Sequence, residues 1–141
     1  MAQLAVILVR GFGHTPRVII NTLAMLNLHR KNHCVVIEDT PANQGMVRKV
    51  KDYVTWGEIS AEVFKELLAK RGKEYKVRIT DSKKLYHYGT LQAGGKHYRR
   101  YFALNPPQKG FERKGIKVAF AAGGALGYRR DNINDLLKRM I

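Results

Sequence analysis

The stretch LAVILVRGFGHTPRVIINTLAMLNLHRKNHCVVIEDTP, residues 4–41, sets out a strand, a helix, a second strand and the start of a second helix. Leu4 to Val9 is a short unbroken apolar run, fit for a buried strand. Gly11 and Gly13 end it. Thr15-Pro16 then carries a helix-start signature, with Thr as N-cap and Pro in the first turn. Val18, Ile19, Thr22, Leu23 and Leu26 fall on one helical stripe. His33 to Ile37 is a second apolar run, and Thr40-Pro41 repeats the capping signal. A second helix is predicted from there, with Met46, Val47 and Val50 facing inward, and Tyr53 to Trp56 as a third strand. Residues 1–59 therefore read as a β-α-β-α-β core.

Working outward, Ser60 caps a third helix whose apolar stripe is Val63, Phe64, Leu67 and Leu68, and Gly72 ends it. Tyr75 to Ile79 alternates like a strand, and Leu85 to Leu91 is a further strand candidate. From Gln92 to Arg130, Gly94-Gly95, Pro106-Pro107, Gly110, Gly115 and Gly123-Gly124 break every long period. That stretch is long for a structureless loop, so it either holds small strands or is ordered by a partner. Asp131 is the expected cap of a last short helix through Ile133, Leu136, Leu137 and Met140. The predicted fold class is α+β, with residues 60–141 as a helix plus a basic Gly/Pro-rich extension packed on the core and on a partner. Val18, Leu23, Leu26, Val36, Val47, Phe64 and Leu67 are the expected core.

Charge points to the partner. The 141 residues carry 26 Lys and Arg against 11 Asp and Glu, a formal +15. Such an excess repels itself and adds nothing to folding, so a polyanion is the expected partner. The excess is uneven: residues 1–57 carry net +4, residues 58–141 net +11, and the window 76–117 alone net +9. The apolar runs are far short of the roughly 20 residues a membrane span needs, and no secretory leader or lipidation box is legible. The one cysteine, Cys34, allows no internal disulfide and reads as a small buried thiol. A cytoplasmic protein is expected.

Enzyme chemistry finds little support. Gly11-Phe12-Gly13, followed by Glu38 and Asp39 after the second run, imitates a dinucleotide-binding unit. Pro16 stands where the third glycine would let helix and strand pack closely, and the further βα units of such a fold are missing. Glu38 and Asp39 are neighbours pointing to opposite faces of a strand, so they make a poor catalytic pair. Asp39 is better read as an anion at the positive end of the second helix. His14, His29, His33, His87 and His97 have no zinc-site spacing, and no serine sits in a nucleophile-elbow context. Neither a metal, a cofactor nor a catalytic residue is expected.

RNA-binding chemistry is better served. Lys83-Lys84-Leu85-Tyr86-His87-Tyr88 and His97-Tyr98-Arg99-Arg100-Tyr101 interleave cations with rings. Cations neutralise phosphates, and aromatic planes stack on unpaired bases. The glycine-rich stretches 110–115 and 123–130 let backbone lie close to a phosphate chain while arginines reach sideways. The expected RNA contacts are Arg10, His14 and Arg17 at the first turn, Arg30 and Lys31 after the first helix, and Arg48 and Lys49 on the second. In the extension they are Lys83, Lys84, His97, Arg99, Arg100, Arg113, Lys114, Arg129 and Arg130.

Several motifs resemble a known family: Val9-Arg10 closing the first run, LNLHRKN at 26–32, EDTPANQGM at 38–46 and Lys49-Val50. These are similar to the ribosomal protein numbered thirty in the bacterial large subunit and seven in eukaryotes. The bacterial form is about as long as residues 1–57. Beyond it, YVTWGEI at 53–59, FALNPPQKGF at 102–111, GGALGYR at 123–129 and the run from Ile133-Asn134 to Met140 resemble the longer branch, in its archaeal version. The resemblance covers nearly the whole chain. It implies a fold related to ferredoxin-like α+β proteins, a small sheet with helices on one face. It implies a structural, non-catalytic constituent of the large subunit, one copy each, bound to ribosomal RNA near the 5S RNA and to neighbouring ribosomal proteins. The rivals are a free-standing RNA chaperone or regulator and a small nucleotide-binding enzyme.

Overall fold

A computed structural model describes residues 2–141. Three strands from the first half, β1 (Gln3–Leu8), β2 (His33–Glu38) and β3 (Val54–Glu58), alternate with α1 (Arg17–Met25) and α2 (Pro41–Lys49). α3 (Ala61–Arg71) follows, then the short strands β4 (Leu91–Ala93), β5 (Lys96–Tyr98), β6 (Tyr101–Ala103) and β7 (Gly127–Tyr128), and finally α4 (Ile133–Met140). The main sheet runs β6-β2-β1-β3-β7. β1 is antiparallel to both neighbours, with Val6 opposite Val35 on one side and Trp56 on the other. β6 is antiparallel to β2 and β7 is parallel to β3. The extension thus supplies both edge strands of the core's own sheet.

The unbroken apolar run of β1 has a physical cause: it is the central strand, and both of its faces are covered. Val6 and Leu8 point with Val35 and Val54 toward Leu23 of α1, Val47 of α2 and Val50 just after it. The two helices of the core lie on that one face, as the family resemblance implied. Ala5, Ile7 and Cys34 point the other way, into a second cluster with Phe102, Val63 and Leu67 of α3, and Ile133, Leu136, Leu137 and Met140 of α4. The helices of the extension therefore close the second face. Burial pushes the Cys34 thiol up to about 12, so this cysteine is an inert part of that cluster.

Capping residues behave unequally. Thr40 Oγ1 accepts from the Asn43 N–H at 3.3 Å, and Ser60 Oγ from that of Val63 at 3.3 Å, as read from the sequence. Thr15 does not cap: Pro16 holds the N-cap position of α1 in extended conformation, one residue later, and Thr15 Oγ1 is buried without a partner. Nor does Asp131 cap α4. A 3-10 turn, Arg130–Asn132, leads into that helix and puts Asn132 at its N-cap position. The next side chain but one, Asn134, accepts from the Ser60 N–H at 2.9 Å and donates to the Glu58 carbonyl, pinning α4 to the end of β3.

That junction is tight. A Cβ added to Gly57 in β3 would lie 2.1 Å from the Arg130 carbonyl oxygen and 3.0 Å from Ile133 Cβ. Backbone cannot yield as a flexible side chain does. Gly57→Ala is expected to destabilise the protein by about 1–3 kcal/mol through overpacking, read as a lower urea midpoint. An unchanged midpoint would mean that α4 shifts on β3 at no cost.

Two expectations fail here. Val18 is 57% exposed, because α1 turns only part of its stripe inward; Val36 is half-buried against the second cluster, and Phe64 is half-buried. Neither 75–79 nor 85–91 forms a strand as predicted. The chain there is joined only by isolated bridges, Glu74 to Tyr98 and Thr80 to His87, and regular pairing begins at Leu91. With no sheet edge alongside, alternation of side chains has nothing to bury against. Among the described residues no helix is long and apolar enough to cross a membrane.

Candidate RNA interface

The strand register gathers separate basic segments at one end of the sheet. Val9 and Arg10 N–H groups donate to the Tyr53 carbonyl, and the Asn32 N–H donates to the Leu8 carbonyl at 2.8 Å. The C-terminal end of β1 therefore meets the start of β2 and the start of β3. The loop carrying Arg113 and Lys114 is pinned there as well, since Phe111 and Ile116 pack with Ala125 and Leu126 on Val9. Arg10, His14, Arg17, Arg30, Lys31, Lys49, Arg113 and Lys114 all belong to segments anchored at or next to this end. All but Arg10 are exposed. Arg10 is half-buried, with its guanidinium 5.2 Å above the Tyr53 ring. His14 adopts φ 54°, and Gly11 and Gly13 beside it have open space where a Cβ would stand. The backbone of this turn is accessible to a large ligand.

A second group is carried on an arm. The residues from Lys73 to Arg100 form an arm rooted on β5, where the Tyr75 N–H donates to the His97 carbonyl and the Arg99 N–H to the Lys73 carbonyl. Lys83, Lys84, Arg99 and Arg100 are exposed on it, and His97 is half-buried with Nδ1 3.0 Å from Thr90 Oγ1. Leu91, at the base of the arm, lines a cavity with Gln3, Ile37 and Glu38, at the opposite end of the strands from Arg10. Arg99 donates to the Tyr101 hydroxyl at 3.1 Å, and the Tyr101 ring stacks on His33 at 4.9 Å and 9°. Burial, with Arg30, His29 and Lys73 nearby, holds His33 below its usual range. The expected pairing of cations with rings thus exists, and at the root of the arm it adjoins the first group, since Arg99 and Lys73 come beside the His33–Tyr101 stack next to Arg30. Arg48, on α2, lines a cavity with Trp56, Glu58 and Tyr128, and Arg130 is exposed past the end of β7.

Arg129 departs from the expectation that it reaches outward. It is 1% exposed, the largest fully buried side chain. Nε donates to Thr55 Oγ1 at 2.8 Å, Nη1 to Glu112 Oε1 at 2.7 Å and Nη2 to the Ala125 carbonyl at 3.1 Å, and the guanidinium lies 4.7 Å above the Phe120 ring. Burial pulls its pKa down and Glu112 pulls it back up. A buried guanidinium must be paired, so its role is to fasten the 111–126 loop to β3.

An aromatic pair escapes the sequence reading. Trp56 and Tyr128, opposite each other on β3 and β7, have ring centroids 6.1 Å apart. The Tyr128 hydroxyl donates to Glu58, which pushes the phenol up to about 12. In the sequence Tyr128 is only one letter of a glycine-rich basic stretch. The signal that could mark it is its place after Gly127 in a two-residue strand, which is too short to see by periodicity. Exposed Lys51 and Lys117 line a cavity with this aromatic pair. Among the described residues no group of three or more His, Cys, Asp or Glu is placed to hold a metal ion.

Comparison with known proteins decides between families. The family model described as ribosomal protein L30p/L7e matches residues 4–54. A protein of Methanococcus maripaludis named large ribosomal subunit protein uL30 is 41% identical, over 97% of this chain and 98% of the relative. The chain belongs to the uL30 family. Proteins with the same name from Methanobrevibacter smithii and Methanopyrus kandleri are 40% and 42% identical, over 96% and 94% of this chain and 98% and 99% of theirs. The family model stops at the start of β3, whereas these uL30 relatives align nearly end to end. The β4–β7 extension and α4 are therefore shared with archaeal uL30 proteins, as the motifs beyond residue 53 had implied.

Proposed function

We propose that this chain is a structural constituent of the large ribosomal subunit, acting in the cytoplasm by holding ribosomal RNA segments in a fixed relation. The single observation that carries the reading is near end-to-end identity of about 41% with large-subunit uL30 proteins. The excess of 26 basic over 11 acidic residues supplies the chemistry. Cations on rigid turns displace counterions from phosphates and fix register without reading sequence. The sheet-end group and the arm engage separate RNA segments, which is how a small protein braces two helices. Arg10, His14, Arg17, Arg30, Lys31, Arg48, Lys49, Lys83, Lys84, His97, Arg99, Arg100, Arg113, Lys114 and Arg130 are the proposed contacts. One copy per subunit, neighbouring ribosomal proteins, a place near the 5S RNA and the lack of catalysis belong to the same proposal.

Mass spectrometry of salt-washed large subunits tests it, with one copy per subunit expected. Protein found mainly outside ribosomes during growth would favour a free chaperone. Nucleotide affinity in the micromolar range, lost on Gly13→Val, would favour an enzyme. The phosphate role has its own test. Changing Arg30, Lys31, Arg113 and Lys114 together to alanine is expected to reduce the salt dependence of binding to deproteinised large-subunit RNA. The slope of log K against log salt should fall by roughly 0.7–0.9 for each phosphate that is no longer neutralised. An unchanged slope would remove these four from the interface.

A further inference from the structure

The tip of the arm combines three properties that no core explains. First, it is apolar and uncovered: Leu85 is 71% exposed and Tyr86 72%, with Val77 and Tyr88 also exposed. Large side chains left this open on one short segment mark a site that a partner covers. Second, it is basic. Between Lys76 and Gly89 the cations Lys76, Arg78, Lys83 and Lys84 face one acid, Asp81. Third, it is built. The Tyr88 N–H donates to the Ile79 carbonyl at 2.8 Å, the Asp81 N–H to the Tyr86 carbonyl and the Lys84 N–H to the Asp81 carbonyl at 3.1 Å. Asp81 Oδ1 accepts from the Leu85 N–H at 2.8 Å and the Tyr86 N–H at 3.3 Å. The only acid of the segment is thus tied to backbone at the turn. Lys84, at φ 56°, turns the chain there.

We propose that residues 79–88 are a finger that enters ribosomal RNA. The Tyr86 ring stacks on an unpaired base, Leu85 fills the space beside it, and Lys83 and Lys84 sit on the flanking phosphates. This rests on the ribosomal reading above. Charge favours RNA over a protein partner, because an apolar tip ringed by lysines matches stacked bases inside a phosphate rail. The other aromatic site, Trp56 with Tyr128, lacks that match: its two cavities set the acids Asp39, Asp52 and Glu58 against an equal number of cations, Arg48, Lys51 and Lys117. Asp81 is a positioning residue, holding Leu85 and Tyr86 ready so that less ordering is needed on binding.

The test uses the full chain and deproteinised large-subunit RNA. Tyr86→Ala is expected to bind about 5- to 150-fold more weakly, the range for loss of one base stack, with the salt slope unchanged. Tyr86→Phe keeps the ring and should bind like the wild type. Changing Lys83 and Lys84 to alanine should lower the slope by roughly 1.4–1.8, for two phosphates. Asp81→Ala should weaken binding and Asp81→Asn, which keeps an acceptor oxygen, should restore it. Base-reactivity probing of large subunits assembled with Tyr86→Ala should expose a nucleotide that the wild type protects. The finger is overturned if Tyr86→Ala matches the wild type, if Tyr86→Phe is as weak as Tyr86→Ala, or if a photocrosslinker at position 86 joins a protein instead of RNA. Those failures leave the ribosomal reading standing. Absence of the wild-type chain from large subunits overturns both.

Discussion

Arg129→Ala is expected to cost about 3–5 kcal/mol of folding stability, the range for breaking a buried charge network by removing one partner. Arg130→Ala, one residue on, should leave stability within about 0.5 kcal/mol and weaken RNA binding instead. The Arg129 guanidinium joins β3, through Thr55, to the loop, through Glu112 and the Ala125 carbonyl. Its removal leaves the buried Thr55 oxygen without its donor and Glu112, 30% exposed, leaning on a cavity. Water reaches Glu112, so the cost lies toward the lower end of that range. Urea unfolding at neutral pH measures it. Both changes at Glu112 remove the counter-charge, but Glu112→Gln keeps an acceptor for Nη1 and should cost less than Glu112→Ala, which leaves Nη1 without one. If Arg129→Ala unfolds at the wild-type midpoint and loses RNA affinity instead, the side chain swings outward to meet RNA, as its sequence context suggests.

That pair of arginines shows where sequence reading stops. Arg129 and Arg130 are indistinguishable by composition, and both stand in the same glycine-rich run. Their fates part because β7 pairs in parallel with β3, Gly127 opposite Thr55, which turns one side chain inward. A two-residue strand formed across more than 70 positions of chain leaves no periodic trace. The opposite holds for β1, α2, β2 and α3: their apolar runs, Thr40-Pro41 and Ser60 are local signals, and local chemistry suffices to fix them. Thr15 and Asp131 carry the same kind of signal and fail, because the incoming turn displaces each from the position where its oxygen would meet a free N–H. The basic character of the candidate interface is legible residue by residue. Its division into a sheet end and an arm is not, since it depends on which loops the register of β1 gathers.

Deleting residues 133–141 is expected to abolish independent folding. The deleted helix holds Ile133, Leu136, Leu137 and Met140, all fully buried. Each is worth roughly 1.5–3 kcal/mol on burial, so together they rival the whole stability of about 5–15 kcal/mol that a domain retains. The loss goes beyond the helix. Asn105 and Gln108 donate backbone N–H groups to the carbonyls of Met140 and Arg139, and Arg139 Nη1 donates to the Gly110 carbonyl at 2.6 Å. Arg71, at the end of α3, donates to the Ile141 carbonyl at 2.9 Å. Without α4 the Ala5, Ile7 and Cys34 face of the sheet opens to water, and the segment that carries β6 loses its tether. Circular dichroism should show no cooperative thermal transition, and limited proteolysis should cut throughout rather than at the arm. Leu136→Ala is the graded form, expected to cost about 2–5 kcal/mol, while Lys138→Ala on the exposed side of the same helix should change little. A truncated chain that melts cooperatively near the wild-type temperature would mean that residues 1–132 hold the sheet without α4, which would then be an addition to a self-sufficient fold rather than part of its core.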